Sequence, residues 1–168
     1  MPKYCVDTSG FSKALQDIPM DVFENLWAFV IARIEAGDIV MTREIFDEMI
    51  LIDNGFGEAI SDNKDAVLYE VNQENWDWQD YLVTNGQILT DQHDHISEYT
   101  GGSPKTVCVN DVSGISLAKS LGIPIISGES ITHNLDQTIK RKIPDICQAE
   151  GVQHMTFNEF LKAEGYKG

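Results

Sequence analysis

Positively charged residues are scarce in this chain of 168 residues. It carries 12 Lys and Arg against 27 Asp and Glu, which gives a formal net charge of −15 at pH 7. A surface of that charge repels nucleic acid at long range, which argues against a protein that binds nucleic acid through a broad basic face. Residues 65–104 contain no Lys or Arg. A solvated acidic face explains this region, and a mimic of nucleic acid or a docking face for a basic partner is the alternative.

Long apolar runs and paired cysteines are also missing. The longest stretch without a charged residue is Tyr81 to Thr90, ten residues, whereas a membrane-spanning helix needs about 20 apolar residues. The N-terminal sequence becomes acidic at Asp7, which does not fit a signal peptide. An odd number of cysteines without a CxxC pair favours reduced thiols. We therefore expect a cytoplasmic protein without a membrane segment.

Short apolar segments alternate with helical patterns along the chain. The length fits one domain over residues 1–168, and 42% hydrophobic residues is an ordinary value for a globular protein. Strands are predicted at Lys3–Asp7, Asp38–Thr42, Thr106–Asn110, Ile123–Ser127 and His154–Phe157. Strands that alternate with helices predict an α/β domain with a largely parallel sheet.

Helical patterns fill the segments between these strands. The first predicted helix ends at about Gln16, and the second runs from a capping pair at Asp21 and Glu24 to Gly37. A third is predicted from Arg43 to about Ile52, followed by several short helices over 56–99. The last three predicted helices are Asp111 or Ser113 to Leu121, Ile143–Glu150 capped by Asp145, and Asn158–Glu164.

Acidic residues follow three of the predicted strands, namely Asp7, Asp111 and Glu129. In open α/β sheets, ligands bind outside the carboxyl ends of the strands. A turn, a helix cap or a solvated loop would explain each acid by itself. Three acids at the same edge of one sheet favour a shared site instead.

Glu48 is a fourth acid, singled out by helical geometry. On a helical wheel it falls between Ile52 and Leu51, on the side that carries Ile45. A buried carboxylate is costly unless it is compensated. Glu48 therefore reaches solvent, has a partner, or binds a cation.

Carboxylates without neighbouring bases indicate a divalent cation. No Lys or Arg lies within two residues of Asp7, Asp111 or Glu129. Hard oxygen ligands favour Mg²⁺ or Mn²⁺ over zinc. The sequence has no HExxH, EF-hand or paired-cysteine pattern and no glycine-rich phosphate loop.

The four acids stand in segments that resemble the PIN-domain superfamily of metal-dependent ribonucleases. The segments are V-D-T-S around Asp7, R-E-I-F-D-E-M-I around Glu48, Asp111 before S-G-I-S-L-A-K-S-L-G, and S-G-E ending at Glu129. Their order and separation are similar to the PIN arrangement across nearly the whole chain. Asn110 stands where many PIN sequences have a small residue.

Three further segments resemble, more narrowly, a poorly characterised PIN-like group. They are K-R-K-I-P-D-I-C from Lys140, M-D-V-F from Met20 and W-D-W from Trp76. Members of that group are often encoded beside helix-turn-helix proteins, in the manner of toxin–antitoxin pairs.

The resemblance implies a fold, a reaction and roles for individual residues. The fold would be a three-layer α/β/α domain with a mostly parallel sheet of four to five strands. The reaction would be Mg²⁺- or Mn²⁺-dependent hydrolysis of RNA phosphodiester bonds, with an antitoxin-like protein or a second copy of the chain as partner. The implied catalytic residues and metal ligands are Asp7, Glu48, Asp111 and Glu129, with Ser9 and Asp145 in support. Asp145 is the weaker candidate, and its plain explanation is a helix cap after Pro144.

The only basic run, Lys140-Arg141-Lys142, is the predicted binding site for substrate phosphates, and a solubilising loop is the alternative. Two other functions remain open. A haloacid-dehalogenase-like phosphatase would use Asp7 as nucleophile, but that chemistry needs a second acid at the position of Ser9. A non-catalytic binding module on a PIN-like scaffold is the other.

Overall fold

The computed structural model contains five short parallel strands and describes residues 1–102, 106–130 and 141–168. The strands are β1 (Tyr4–Val6), β2 (Ile39–Thr42), β3 (Leu68–Tyr69), β4 (Ile125–Ile126) and β5 (His154–Met155). Their order across the sheet is β3-β2-β1-β4-β5, and every neighbouring pair is parallel. The predicted α/β class with a parallel sheet is confirmed.

The helices connect these strands. They are α1 (Thr8–Asp17), α2 (Glu24–Glu35), α3 (Arg43–Met49), α4 (Phe56–Asp62), α5 (Lys64–Val67), α6 (Trp78–Asp91), α7 (Val109–Leu121), α8 (Ile143–Glu150) and α9 (Phe157–Ala163). Two 3₁₀ turns, His93–His95 and Ser97–Tyr99, follow α6.

The alternation of side chains along β1 explains the three layers. Tyr4 and Val6 contribute to one hydrophobic core, and Cys5 contributes to a second core, because successive side chains of a strand point to opposite faces of the sheet. Residues of α1 to α5 and α9 fill the first core, where Phe11 and Trp27 are fully buried. Residues of α6 to α8 fill the second. The expected α/β/α layering is therefore present.

The order of the strands creates a crevice between β1 and β4. The chain leaves β1 and reaches β2 on one side, whereas β4 pairs with β1 on the other side. This reversal is a topological switch point, where parallel α/β sheets bind ligands at the carboxyl ends of the strands.

Two sequence predictions of strands were wrong. The segment Thr106–Asn110 is not a strand of the sheet, because Val107 makes only an isolated bridge to Ile96 and α7 already begins at Val109. Conversely, β3 lies within the region predicted to be helical. Its two residues are too few to show an alternating pattern, and their pairing with β2 forms the strand.

One predicted helix start was wrong. Asp21 does not cap α2, since the backbone N–H groups of Val22 and Phe23 donate to the carbonyl of Pro19 in a preceding turn. The predicted helix Ile143–Glu150 is confirmed as α8, and Asp145 caps its start from the third helical position by accepting a hydrogen bond from the N–H of Lys142. Within the described ranges, no helix has both the length and the apolar character needed to cross a membrane.

Candidate functional site

Asp7 lies directly after β1, at the switch point, and caps α1. Its side chain is only 5% exposed. One carboxylate oxygen, Oδ2, accepts hydrogen bonds from the backbone N–H of Ser9 at 3.0 Å and from the Ser9 hydroxyl. The hydroxyl oxygen of Ser9 in turn accepts from the N–H of Gly128 at 3.0 Å. Ser9 thus connects Asp7 to the segment that follows β4.

Glu48 lies on α3 and has found partners outside its own helix. The Thr8 hydroxyl donates to its Oε2 at 2.5 Å, and the side-chain amide of Asn110 donates to its Oε1 at 3.2 Å. The helical wheel that placed it near a buried Leu51 was wrong, because α3 ends at Met49 and Leu51 is 77% exposed. Of the three outcomes expected for Glu48, the structure shows a residue that is both exposed and hydrogen-bonded.

Asp111 belongs to the first turn of α7 and does not follow a strand. Its Oδ2 accepts a hydrogen bond of 2.8 Å from the N–H of Cys108, the residue before the helix. A carboxylate in this position satisfies a backbone donor that the helix itself leaves free. The start of α7 thereby fixes Asp111 near Asp7, whose charge influences its protonation.

Glu129 follows β4 and reaches the start of α8. Its Oε2 accepts a hydrogen bond of 2.8 Å from the N–H of Ile143, and its own N–H donates to the Ser127 hydroxyl at 3.2 Å. Gly128 permits this path, because a Cβ atom there would lie 2.4 Å from the carbonyl oxygen of Ser9. The close approach brings Glu129 beside α1.

The four acids are electrostatically coupled. Burial raises the pKa of Asp7, and the charges of Glu129 and Glu48 raise it further against the opposing effect of the Ser9 hydrogen bonds. Burial, together with the charge of Asp7, raises the pKa of Asp111 to about 7. Like charges at close range disfavour the ionised form. A bound cation would therefore stabilise the ionised forms of these carboxylates.

Three of the acids keep one oxygen available. Asp7, Asp111 and Glu129 each use a single oxygen for their hydrogen bonds with described residues, which leaves Oδ1, Oδ1 and Oε1 without such a bond. These carboxylate oxygens are hard metal ligands, which suit Mg²⁺ or Mn²⁺. In the part of the chain that the structure describes, however, no three His, Cys, Asp or Glu side chains are already gathered closely enough to hold a metal ion.

The other predicted site residues lie around α8. Asp145 is 3% exposed and belongs to the first turn of that helix. Arg141 directs its Nη1 to the Gln92 side chain at 3.1 Å, and Lys142 immediately precedes the helix. Lys140 lies outside the described residues. The basic run therefore stays a predicted substrate-binding site, with its central side chain engaged in a contact to the end of α6.

Sequence reasoning missed the residues that position Glu48. Thr8 belongs to the D-T-S segment and Asn110 directly precedes Asp111, so both stand beside predicted ligands. The signal available in the sequence was a polar residue directly beside Asp7 and another directly beside Asp111. Their hydrogen bonds to Glu48 depend on three helices meeting, which no local pattern reveals.

Comparison with known proteins gives a family and no activity. No curated protein matches this chain. The model of a family described as a domain of unknown function, DUF4411, matches residues 4–167. Because the match covers nearly the whole chain, this protein belongs to the DUF4411 family.

Proposed function

We propose that this protein is an Mg²⁺- or Mn²⁺-dependent endoribonuclease that hydrolyses phosphodiester bonds in RNA. The observation that carries the proposal is the environment of Asp7. This carboxylate is almost fully buried at the switch point of the sheet. No Lys, Arg or His of the described ranges forms an ion pair with it, and three other acids stand around it. A buried carboxylate in such surroundings is compensated either by a proton or by a bound cation, and a cation is the form that we propose.

Asp7, Asp111 and Glu129 are the residues that would hold the metal, with the oxygens that their backbone hydrogen bonds leave available. Glu48 completes the set, with its orientation fixed by Thr8 and Asn110. When bound, a metal of this kind lowers the pKa of a coordinated water and stabilises the negative charge that develops on the phosphate.

The protein itself orients the carboxylates and controls their protons. Ser9 fixes the direction of Asp7 through two hydrogen bonds to one oxygen. Asp111, with its pKa raised to about 7, holds a proton over part of the neutral range in the absence of a cation. Binding of a metal would displace that proton, so metal affinity should increase with pH.

The resemblance to PIN ribonucleases supports RNA as the substrate. Lys140 and Lys142, with Arg141 between them, are the residues that we propose to bind its phosphates, and Asp145 supports the start of α8 beside Glu129. The narrower resemblance supports a role as the toxin of a toxin–antitoxin pair. An antitoxin-like protein would then be the partner, and a homodimer is compatible with the same proposal.

Thermal unfolding with increasing Mn²⁺ and cleavage of single-stranded RNA in Mg²⁺ or EDTA test this function together. At a Mn²⁺ concentration 100 times the Kd, binding should add about 2.7 kcal/mol to the free energy of unfolding. RNA cleavage should require the metal and stop in EDTA. A protein with no Mn²⁺ stabilisation and no metal-dependent cleavage would overturn the proposal.

A catalytically inactive binding scaffold is the second candidate. It is favoured because, among the described residues, no three His, Cys, Asp or Glu side chains are already gathered as a metal site. The acidic region 65–104 would be its docking face, and the exposed side chains of Leu82 and Val83 on α6 offer apolar contacts there. The Mn²⁺ titration separates the two candidates, because a scaffold without a metal site gains no stability.

A further inference from the structure

A cavity adjoins the acidic site on the side of α1 and α9. Its volume is about 320 Å³, and its lining includes Lys13, Glu129, Ser130 and Asn158. Small-molecule sites in proteins start at about 300 Å³. Glu129 lines this cavity and also belongs to the acidic site. A bound strand can therefore occupy both places along one continuous stretch of surface.

Lys13 is the positively charged residue of this lining. Its Nζ donates a hydrogen bond of 3.0 Å to the carbonyl oxygen of Gly128. That acceptor is neutral, so the bond directs the ammonium group without cancelling its charge. Asp17 shares the cavity, but it forms no ion pair with Lys13.

Other basic side chains of the described residues are held by partners within the protein. Ion pairs with carboxylates engage Lys3, Arg33, Arg43 and Lys119 within the described ranges. Arg141, from the basic run, contacts Gln92. Lys13 therefore combines a charge that no ion pair of the described residues engages with a direct hydrogen bond to Gly128, the residue that precedes Glu129.

We propose that Lys13 and this cavity form a subsite for the nucleotide next to the scissile bond of a single-stranded substrate. The inference rests on the proposed nuclease function and specifies where the single-stranded substrate lies on the protein. The Lys13 ammonium group would bind a backbone phosphate as a point charge, while the Asn158 amide and the Ser130 hydroxyl would face the sugar or base. The cavity volume of about 320 Å³ falls in the range of small-molecule sites, which suits a single nucleotide. Lys13 is thus a positioning residue and takes no part in the chemical step.

The test compares Lys13→Gln, Lys13→Arg and the matched control Lys162→Gln, which removes an exposed cation from α9 outside the cavity. The probe is a 5′-labelled oligouridylate of 12 nucleotides. Its Kd is measured by fluorescence anisotropy in EDTA from 50 to 300 mM salt, and KM and kcat are measured in Mg²⁺. Lys13→Gln should reduce the log–log salt slope by about 0.7, the value for one contact to a single strand. KM should increase while kcat at saturation stays unchanged, and Lys13→Arg should restore the slope.

Two results would overturn the subsite while leaving the nuclease function intact. One is metal-dependent cleavage by Lys13→Gln with the wild-type salt slope and KM. The other is an equal loss of slope in Lys162→Gln, which would assign the effect to the overall charge. An equal effect of Lys13→Gln on a labelled 12-base-pair duplex would contradict a single-stranded path. If the wild type neither binds nor cleaves the probe, the proposed function fails together with the subsite.

Discussion

Asn110 and Glu48 are 62 positions apart in the chain, and the side-chain amide of Asn110 donates a hydrogen bond of 3.2 Å to Oε1 of Glu48. Asn110 lies in the first turn of α7 on one face of the sheet, whereas Glu48 lies in the last turn of α3 on the other face. Thr8 from α1 supplies the second bond to the same carboxylate. Glu48 is therefore the point at which three helices meet beside the carboxyl end of β1.

Replacement of Asp7 by Asn should abolish metal-dependent cleavage of RNA and preserve the fold. The change keeps the shape of the side chain and removes one buried charge. We expect cleavage to fall by at least about 100-fold, beyond the 10–100-fold range typical of losing a supporting residue of a metal site. The melting temperature in EDTA should stay equal or increase, because repulsion from Glu48 and Glu129 is relieved.

Asp94→Asn is the matched control for Asp7→Asn, since its side chain is 92% exposed. It should keep wild-type cleavage and wild-type Mn²⁺ stabilisation. Wild-type cleavage by purified Asp7→Asn protein would contradict the assignment of the site.

Thr8→Val should weaken metal binding with little effect on folding. The substitution keeps the volume but removes the 2.5 Å hydrogen bond to Glu48. Since residues that orient a metal ligand typically contribute 10–100-fold, the Kd for Mn²⁺ should increase by about tenfold. The free energy of unfolding in EDTA should fall by no more than about 1.5 kcal/mol. Isothermal titration and urea unfolding measure the two quantities.

Thr90→Val provides the comparison, because among the described residues the Thr90 hydroxyl donates to the carbonyl of Gly86 within α6 and to none of the four acids. It should leave the Mn²⁺ affinity unchanged. Equal affinities for Thr8→Val and wild type would show that Glu48 needs no orientation by Thr8 or takes no part in binding.

The contribution of Asp111 to the stability of the metal-free protein should decrease as the pH increases from about 4 to about 7. The pKa of Asp111 lies at about 7 in the folded protein, above its ordinary value of 3.8, mainly because of burial and the charge of Asp7. Between these values the folded state binds more protons than the unfolded state, so the free energy of unfolding decreases with pH. Asp7 contributes in the same direction.

Thermal unfolding in EDTA between pH 4.5 and 8 measures this effect as the difference between wild type and Asp111→Asn. The variant should show the weaker decrease, whereas Asp94→Asn should follow the wild type. Superimposable profiles for wild type and Asp111→Asn would mean that Asp111 titrates normally.

Gly128→Ala should destabilise the protein, in contrast to Gly86→Ala. A Cβ atom at position 128 would lie 2.4 Å from the backbone carbonyl oxygen of Ser9, whereas nothing lies within 4 Å of one at position 86. Forced overpacking typically costs about 1–3 kcal/mol. An added Cβ inside α6 should instead stabilise by about 0.5–1 kcal/mol. Urea unfolding measures the free energy of unfolding of both variants. If both matched the wild type, this interpretation of the Ser9–Gly128 contact would be contradicted.

Local patterns located most of the elements. The strands β1, β2, β4 and β5 lie within predicted segments, and α7 and α8 end where glycines 122 and 151 follow. The prediction failed for β3 and for the segment around Val107. Both are short apolar stretches whose state depends on whether a neighbouring strand is available, and that neighbour is distant in sequence.

The sequence by itself determined the alternation of strands and helices, the acidic charge and the acids that follow β1 and β4. These properties are local, since they depend on side-chain periodicity and on residues adjacent in the chain. Only the tertiary structure decided the strand order that places β1 against β4, the hydrogen bonds from Thr8 and Asn110 to Glu48, and the engagement of Arg141 with Gln92. Burial beside other carboxylates also raised the pKa of Asp111, because desolvation and charge repulsion depend on distances that folding alone creates.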